Sequence, residues 1–196
     1  MFSQLRRCDI TDELGRHARL MDLSVALLDG DYPPVTNLFF LNDKNKKHWL
    51  PWDQVQTIDL KARRIGVQDL KSSNKLVAGS LGKDVLLGDG ILDALILDLQ
   101  NRRATRANDL WLEGDENRLE LRAADTGLRG FLRRLSGGRY GRVSKSALYD
   151  WKYVEFLRGD PEAVRNAEGY NLRVARLPPG EIARLSDMLP ICMLLS

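Results

Sequence analysis

Arg16-x-x-Arg19-x-x-Asp22-Leu23 returns as Arg103-x-x-Arg106-x-x-Asp109-Leu110, 87 positions further on (103 − 16). Trp52-x-x-Val55 is answered in the same way by Trp151-x-x-Val154. The chain is read as two copies of one small unit. The repeat aspartate and tryptophan lie 30 residues apart in the first copy (52 − 22) and 42 in the second (151 − 109), so the second copy carries an insertion of about a dozen residues. A duplicated scaffold without a duplicated catalytic group points toward binding or regulation, where repeats build surface.

The 196 residues leave each copy fewer than 100. Units of that size are marginal alone, because domains so short bury only about 60% of the surface their unfolded chains expose. The two copies are therefore expected to lean on each other. Hydrophobic residues make up 43% of the chain and charged residues 29%, a globular balance. A net charge of +3 is too mild to mark a nucleic-acid binder, so that partner is disfavoured. Cys8 and Cys192 sit at opposite ends and read as reduced thiols of a cytoplasmic protein. The sequence lacks a transmembrane segment, which needs about 18 or more uninterrupted apolar residues. Met1 to Cys8 lacks the apolar block of a secretion signal. A cytoplasmic location is expected, or one peripheral to the inner membrane through a partner.

Met21, Leu23, Val25 and Leu27 alternate with Asp22 and Ser24, which predicts a half-buried strand from Arg19 to Leu27 with Asp22 on the opposite face. Leu110 and Leu112 take the places of Leu23 and Val25, with Asp109 opposite them. Asp29-Gly30-Asp31 and Glu113-Gly114-Asp115-Glu116-Asn117 are turn sequences, so each strand opens a hairpin. The return strands are Val35 to Leu41, entered through Pro33-Pro34, and Arg118 to Ala123. His48 to Val55 and Tyr149 to Leu157 read as short strands carrying the repeat tryptophans. Lys61 to Lys83 is polar and basic and holds the boundary between copies, and Val85 to Leu99 resumes apolar strand-like sequence. The fold class is all-β. Several short strands favour two tandem small antiparallel β-barrels, over residues 1–76 and 77–172, followed by a C-terminal helical segment over 173–196.

The insertion in the second copy reads as one short helix over 127–136. Leu128, Phe131, Leu132 and Leu135 follow the i, i+3, i+4, i+7 rule, with Arg129, Arg133 and Arg134 between them and Gly137-Gly138 as a stop.

Gly15-Arg16, Asp22-Leu23, Tyr32-Pro33-Pro34-Val35 and Leu50-Pro51-Trp52-x-x-Val55 resemble the PRC-barrel family. Asp84-Val85-Leu86-Leu87, Asn101-Arg102-Arg103, Thr126-Gly127-Leu128-Arg129-Gly130-Phe131-Leu132 and Asp150-Trp151-x-x-Val154-Glu155 are similar to bacterial proteins in which PRC-like barrels precede an MgtE-type intracellular domain. Leu177 to Leu189 resembles the opening helix of that domain, with Pro178 and Gly180 departing from its pattern. The resemblance implies magnesium transport as the process served. It implies as partner a membrane transporter or a helical MgtE-like domain, and a second copy of the chain is also open. The family's metal sensing is not expected to carry over to these residues.

His17 and His48 lack zinc-ligand spacing, and Gly79-Ser80-Leu81-Gly82-Lys83 lacks that of a phosphate loop. No catalytic residue, cofactor or enzyme activity is expected, and metal ligands are left unassigned. Asp22 and Asp109 are expected in intramolecular contacts, and Trp52 and Trp151 in cores. Trp111 is different: it falls on the outer face, where the first copy has Ser24. Trp111, Leu128, Arg129, Phe131, Leu132, Arg133 and Leu135 are the candidate partner-binding residues. The expected function is a non-catalytic regulatory or adaptor module acting through protein contacts. An RNA or ribosome assembly factor and a direct Mg²⁺ sensor are the alternatives.

Overall fold

The computed structural model describes residues 1–77, 79, 81–100, 103–127 and 147–156, with residues 103 and 156 described by backbone alone. A single helical turn, α1 (Phe2–Leu5), leads into β1 (Asp9–Asp12), β2 (His17–Val25), β3 (Val35–Leu41) and β4 (Lys47–Pro51). A 3₁₀ turn, Trp52–Gln54, separates β4 from β5 (Val55–Asp59), and β6 (Arg64–Val67) and β7 (Asn74–Lys75) follow. The second copy opens with β8 (Val85–Leu86) and a π turn, Leu87–Ile91. It continues with β9 (Leu95–Asp98), β10 (Arg103–Arg106), β11 (Asp109–Gly114), β12 (Leu119–Asp125) and β13 (Leu148–Asp150). A second 3₁₀ turn, Trp151–Tyr153, then leads into β14 (Val154–Phe156).

The strands make one sheet ordered β5-β6-β1-β2-β3-β4-β7, with β8 on the far end of β2, and two three-stranded sheets, β10-β9-β14 and β11-β12-β13. The fold is mostly β, with only short helical turns. Pairing is antiparallel except between β1 and β6, which run parallel. Among the described residues no sheet closes into a barrel.

The return strand β3 has the expected bounds, Val35–Leu41, but the alternation expected from Met21 to Leu27 is broken. Register shifts between Leu20 and Asp22, leaving Met21 out of the ladder. Ala18 and Leu20 therefore face the core before the shift, and Leu23 and Val25 after it. A bulge of this kind re-aims the strand, which a strict period of two cannot anticipate. The strands expected over His48 to Val55 and Tyr149 to Leu157 are likewise each cut by a 3₁₀ turn that begins at the repeat tryptophan. Both tryptophans are core residues, as expected. Strand β6 lies inside the stretch read as a polar connector. Its Ile65 and Val67 are fully buried, yet two apolar residues among arginines give too short a pattern to read.

Each copy has a further bulge at the same place. Register shifts between Ser24 and Val25 in β2, and between Trp111 and Leu112 in β11, again 87 residues apart (111 − 24). The shifts pass over Thr36 on β3 and Arg122 on β12. Gly114 closes the β11–β12 turn at φ 128°, and a Cβ there would strike the Arg118 carbonyl, so the turn requires glycine.

One hydrophobic core draws on both copies: Phe2, Leu23 and Leu38 belong to the same cluster as Leu87, Ile91, Leu110 and Leu121. Apart from Gly127, the predicted helix over 127–136 lies outside the described residues, as does the segment 173–196.

Candidate partner-binding surface

Asp22 and Asp109, the most legible repeat residues, are buried rather than offered to a ligand, with 4% and 0% exposure. Asp22 Oδ1 accepts from the Leu23 and Gly88 amides at 2.8 Å each, and Oδ2 accepts from the Asp89 amide at 3.1 Å. Asp109 Oδ1 accepts from the Leu110 amide at 2.9 Å and the Ser3 amide at 3.1 Å, while Ser3 Oγ donates to Oδ2 at 2.6 Å. The exchange is reciprocal. The first copy's aspartate holds the π turn that leads into the second copy, and the second copy's aspartate holds α1, which leads into the first. Short helical turns leave amides unsatisfied, and a carboxylate is a strong acceptor for them. Gly88 suits its place because a Cβ there would lie 2.7 Å from Asp22 Oδ2. Burial raises the Asp22 carboxyl above its usual range, and its three amides and the Arg6 charge offset only part of that.

The copies also meet strand to strand. Pro34 precedes Val35, the partner of Val25, and Glu120 precedes Leu121, the partner of Leu112. These matching positions bridge each other antiparallel, and the Leu121 amide donates to the Pro33 carbonyl at 2.9 Å. Self-matched contact and reciprocal exchange are the marks of an approximate two-fold relation.

Asp12 anchors the β1–β2 turn. It accepts from the Leu14, Arg16 and Leu70 amides at 3.1, 2.9 and 3.1 Å, and Arg16 Nε donates to it at 2.5 Å. Burial alone would raise its carboxyl, but the amides and the guanidinium outweigh burial and hold it below the usual 3.8. The folded state then binds its proton less readily than the unfolded chain. Its contribution to stability is complete above the unfolded value and is lost as pH falls through the folded one. Asp12→Asn is expected to flatten the fall in stability below about pH 4. Urea unfolding midpoints at pH 3 to 7 check this, and an unchanged acid slope would count against it.

Cys8 is buried, and burial followed by the Asp9 charge pushes its thiol up to about 11, which makes it a poor nucleophile at neutral pH. His17 Nδ1 pairs with Thr11 Oγ1 at 3.2 Å, and His48 pairs with Ser73 and Asn42 at 3.0 and 3.3 Å. Among the described residues no group of three or more His, Cys, Asp or Glu side chains gathers as metal ligands.

Trp111 lies between the core residues Leu110 and Leu112 on the opposite face of β11, half-buried. Opposite it on β12 is Ala123, and opposite Ala123 on β13 is Asp150, so a small residue separates an indole from a carboxylate. Around this row gather residues that the sequence did not mark as partner-binding. Tyr32 of the first copy donates to Asp150 Oδ2 at 3.2 Å, and the Arg122 guanidinium lies 4.1 Å from the Tyr32 ring centre. Arg122 also pairs with Glu120 at 2.9 Å, and Lys152 stands 3.7 Å from Asp150 Oδ2 and 4.8 Å from the Tyr153 ring centre. Tyr153 is 40% exposed. Tyr32 and Arg122 come together only because the copies pack, and no spacing signals the pair. Leu128, Arg129, Phe131, Leu132, Arg133 and Leu135 lie outside the described residues.

Fold and surface together define a β-rich protein in which residues around both sequence repeats share one core. Comparison of the chain with protein-family models, with curated proteins and with solved structures finds no match in any of the three. Among the described residues no helix is long and apolar enough to cross a membrane.

Proposed function

We propose that this chain is a non-catalytic adaptor that presents a composite surface to a protein partner. The observation that carries the reading is the cluster of Trp111, Tyr32, Arg122, Asp150, Lys152 and Tyr153, to which both copies contribute. Aromatic and arginine side chains at a packed junction are the groups that most often anchor protein contacts. The repeat aspartates are occupied in tying the copies together, in keeping with a scaffold that builds surface. In this reading each copy is a PRC-like barrel unit, supported by the family resemblance and by the recurring tryptophan-headed 3₁₀ turn. Magnesium transport, with a membrane transporter or a helical MgtE-like domain as partner in the cytoplasm, is supported by the resemblance.

An affinity pull-down of the full chain from detergent-solubilised cells, with and without Mg²⁺, tests this. Recovery of a membrane transporter, lost in a Trp111→Ala, Tyr153→Ala variant, is the expected result. Recovery of ribosomal proteins and no transporter would overturn it in favour of a ribosome-associated role.

A further inference from the structure

His48 joins two lysine-bearing turns at one end of the large sheet. Asn42 closes the β3–β4 turn, its Oδ1 accepting from the Lys44 and Lys46 amides at 3.0 and 2.9 Å, with Asn45 between them at φ 55°. The Asn42 side-chain nitrogen is left to donate, and it reaches His48 Nε2 at 3.3 Å. Ser73 Oγ donates to the Leu70 carbonyl at 2.7 Å, so it accepts from His48 Nδ1 at 3.0 Å. One imidazole, set beside the Phe40 ring, therefore holds the β3–β4 turn against the connector that carries Lys71 and Lys75. Strand pairing places Lys75 opposite His48 and Lys47 opposite Leu41, and the Leu76 amide donates to the Lys47 carbonyl at 3.0 Å.

Lys44, Lys46, Lys47, Lys71 and Lys75 are all exposed. Two acids stand among them, Asp43 and Asp69, and Asp69 is already engaged by Arg16. Residues 41–48 and 69–77 thus carry five lysines and two aspartates, a charge of +3 (5 − 2), which equals the net charge of the whole chain. Val77, two residues past Lys75, is 64% exposed. We infer that this end of the sheet rests on an anionic lipid surface, with the lysines at the headgroup phosphates and Val77 entering the interface. Each lysine held near an anionic leaflet strengthens attraction about fivefold, and its flexible stem lets the ammonium reach the headgroups. Val77 favours lipid over nucleic acid. A phosphate backbone would use the lysines and leave the valine in water, whereas a bilayer interface takes both. The patch stands apart from the Tyr32 and Trp111 surface, because it lies at the opposite end of β3 from the Pro34 bridge, about 20 Å along the strand. It goes beyond the adaptor reading and does not rest on it.

The test is co-sedimentation of the full chain with vesicles of phosphatidylcholine alone and of phosphatidylcholine mixed equally with phosphatidylglycerol. Binding to the mixed vesicles only is expected, with release by about 0.5 M salt. Lys44→Gln, Lys46→Gln, Lys75→Gln should weaken it about 100-fold. Lys61→Gln, Arg64→Gln, Lys83→Gln removes the same charge from exposed positions elsewhere and should cost less than about fivefold. Val77→Ser, which leaves every charge in place, should weaken binding roughly threefold. Equal losses in the two triple variants would overturn the patch, by assigning the attraction to net charge alone. Absence of binding to the mixed vesicles would overturn it too, and because the vesicles meet the full chain, a patch covered by another part of the chain would give that result. Salt-dependent binding of RNA without binding of vesicles would overturn it in favour of a nucleic-acid surface.

Discussion

Asp22→Ala is expected to lower the free energy of unfolding by about 2 kcal/mol, and Asp109→Ala by about 2–3 kcal/mol, since buried donors left without an acceptor cost about 1–3 kcal/mol. Asp22→Ala strands the Gly88 and Asp89 amides, and Asp109→Ala strands the Ser3 amide and hydroxyl. The Asp22 effect is the smaller because burial already disfavours its charge. Its raised carboxyl means that the folded state holds the proton more readily over the window from 3.8 upward to the folded value. Stability therefore declines as pH rises through that window and is level above it, opposite in sign to Asp12. Gly88→Ala attacks the same contact from the other side, by driving a Cβ to 2.7 Å from the carboxylate. Urea denaturation followed by tryptophan fluorescence and far-ultraviolet dichroism measures all three. A change under about 0.5 kcal/mol, typical of surface positions, would show that the exchange does not bind the copies together.

Phe2→Ala is expected to cost about 3–5 kcal/mol, the usual range for emptying a buried phenylalanine site. A residue so close to a terminus is ordinarily expected to fray. Here Phe2 is 0% exposed and belongs to the core cluster that both copies share, next to the Ser3 contact with Asp109. Leu14→Ala is the control, because Leu14 is 77% exposed in the β1–β2 turn and its loss should stay within about 0.5 kcal/mol. If the two variants unfold at the same urea concentration, α1 is not part of the shared core. Because that core is continuous, Phe2→Ala should lower one cooperative transition, with fluorescence and dichroism midpoints moving together.

Trp52 and Trp151 show how far the pattern reached: their recurrence marked equivalent core positions, and both are buried at the head of equivalent 3₁₀ turns. Asp22 and Asp109 were legible as a pair and as intramolecular. Their partners were not, because Gly88 and Ser3 lie 66 and 106 residues away in the chain. Nothing in local sequence states that a leading turn will cross to the other copy. Tyr32 and Arg122 belong with them: a stack between copies leaves no periodic trace.

By itself, the sequence determined the β class and the hairpins at Asp29–Asp31 and Glu113–Asn117, because hydrophobic alternation and turn chemistry act over a few residues. The tertiary structure decided the bulges, the parallel placement of β6 on β1, the reciprocal capping and the composite surface. Those features depend on which buried donors and apolar faces find each other once the two copies pack, and that pairing is settled by desolvation and satisfied hydrogen bonds across long chain distances.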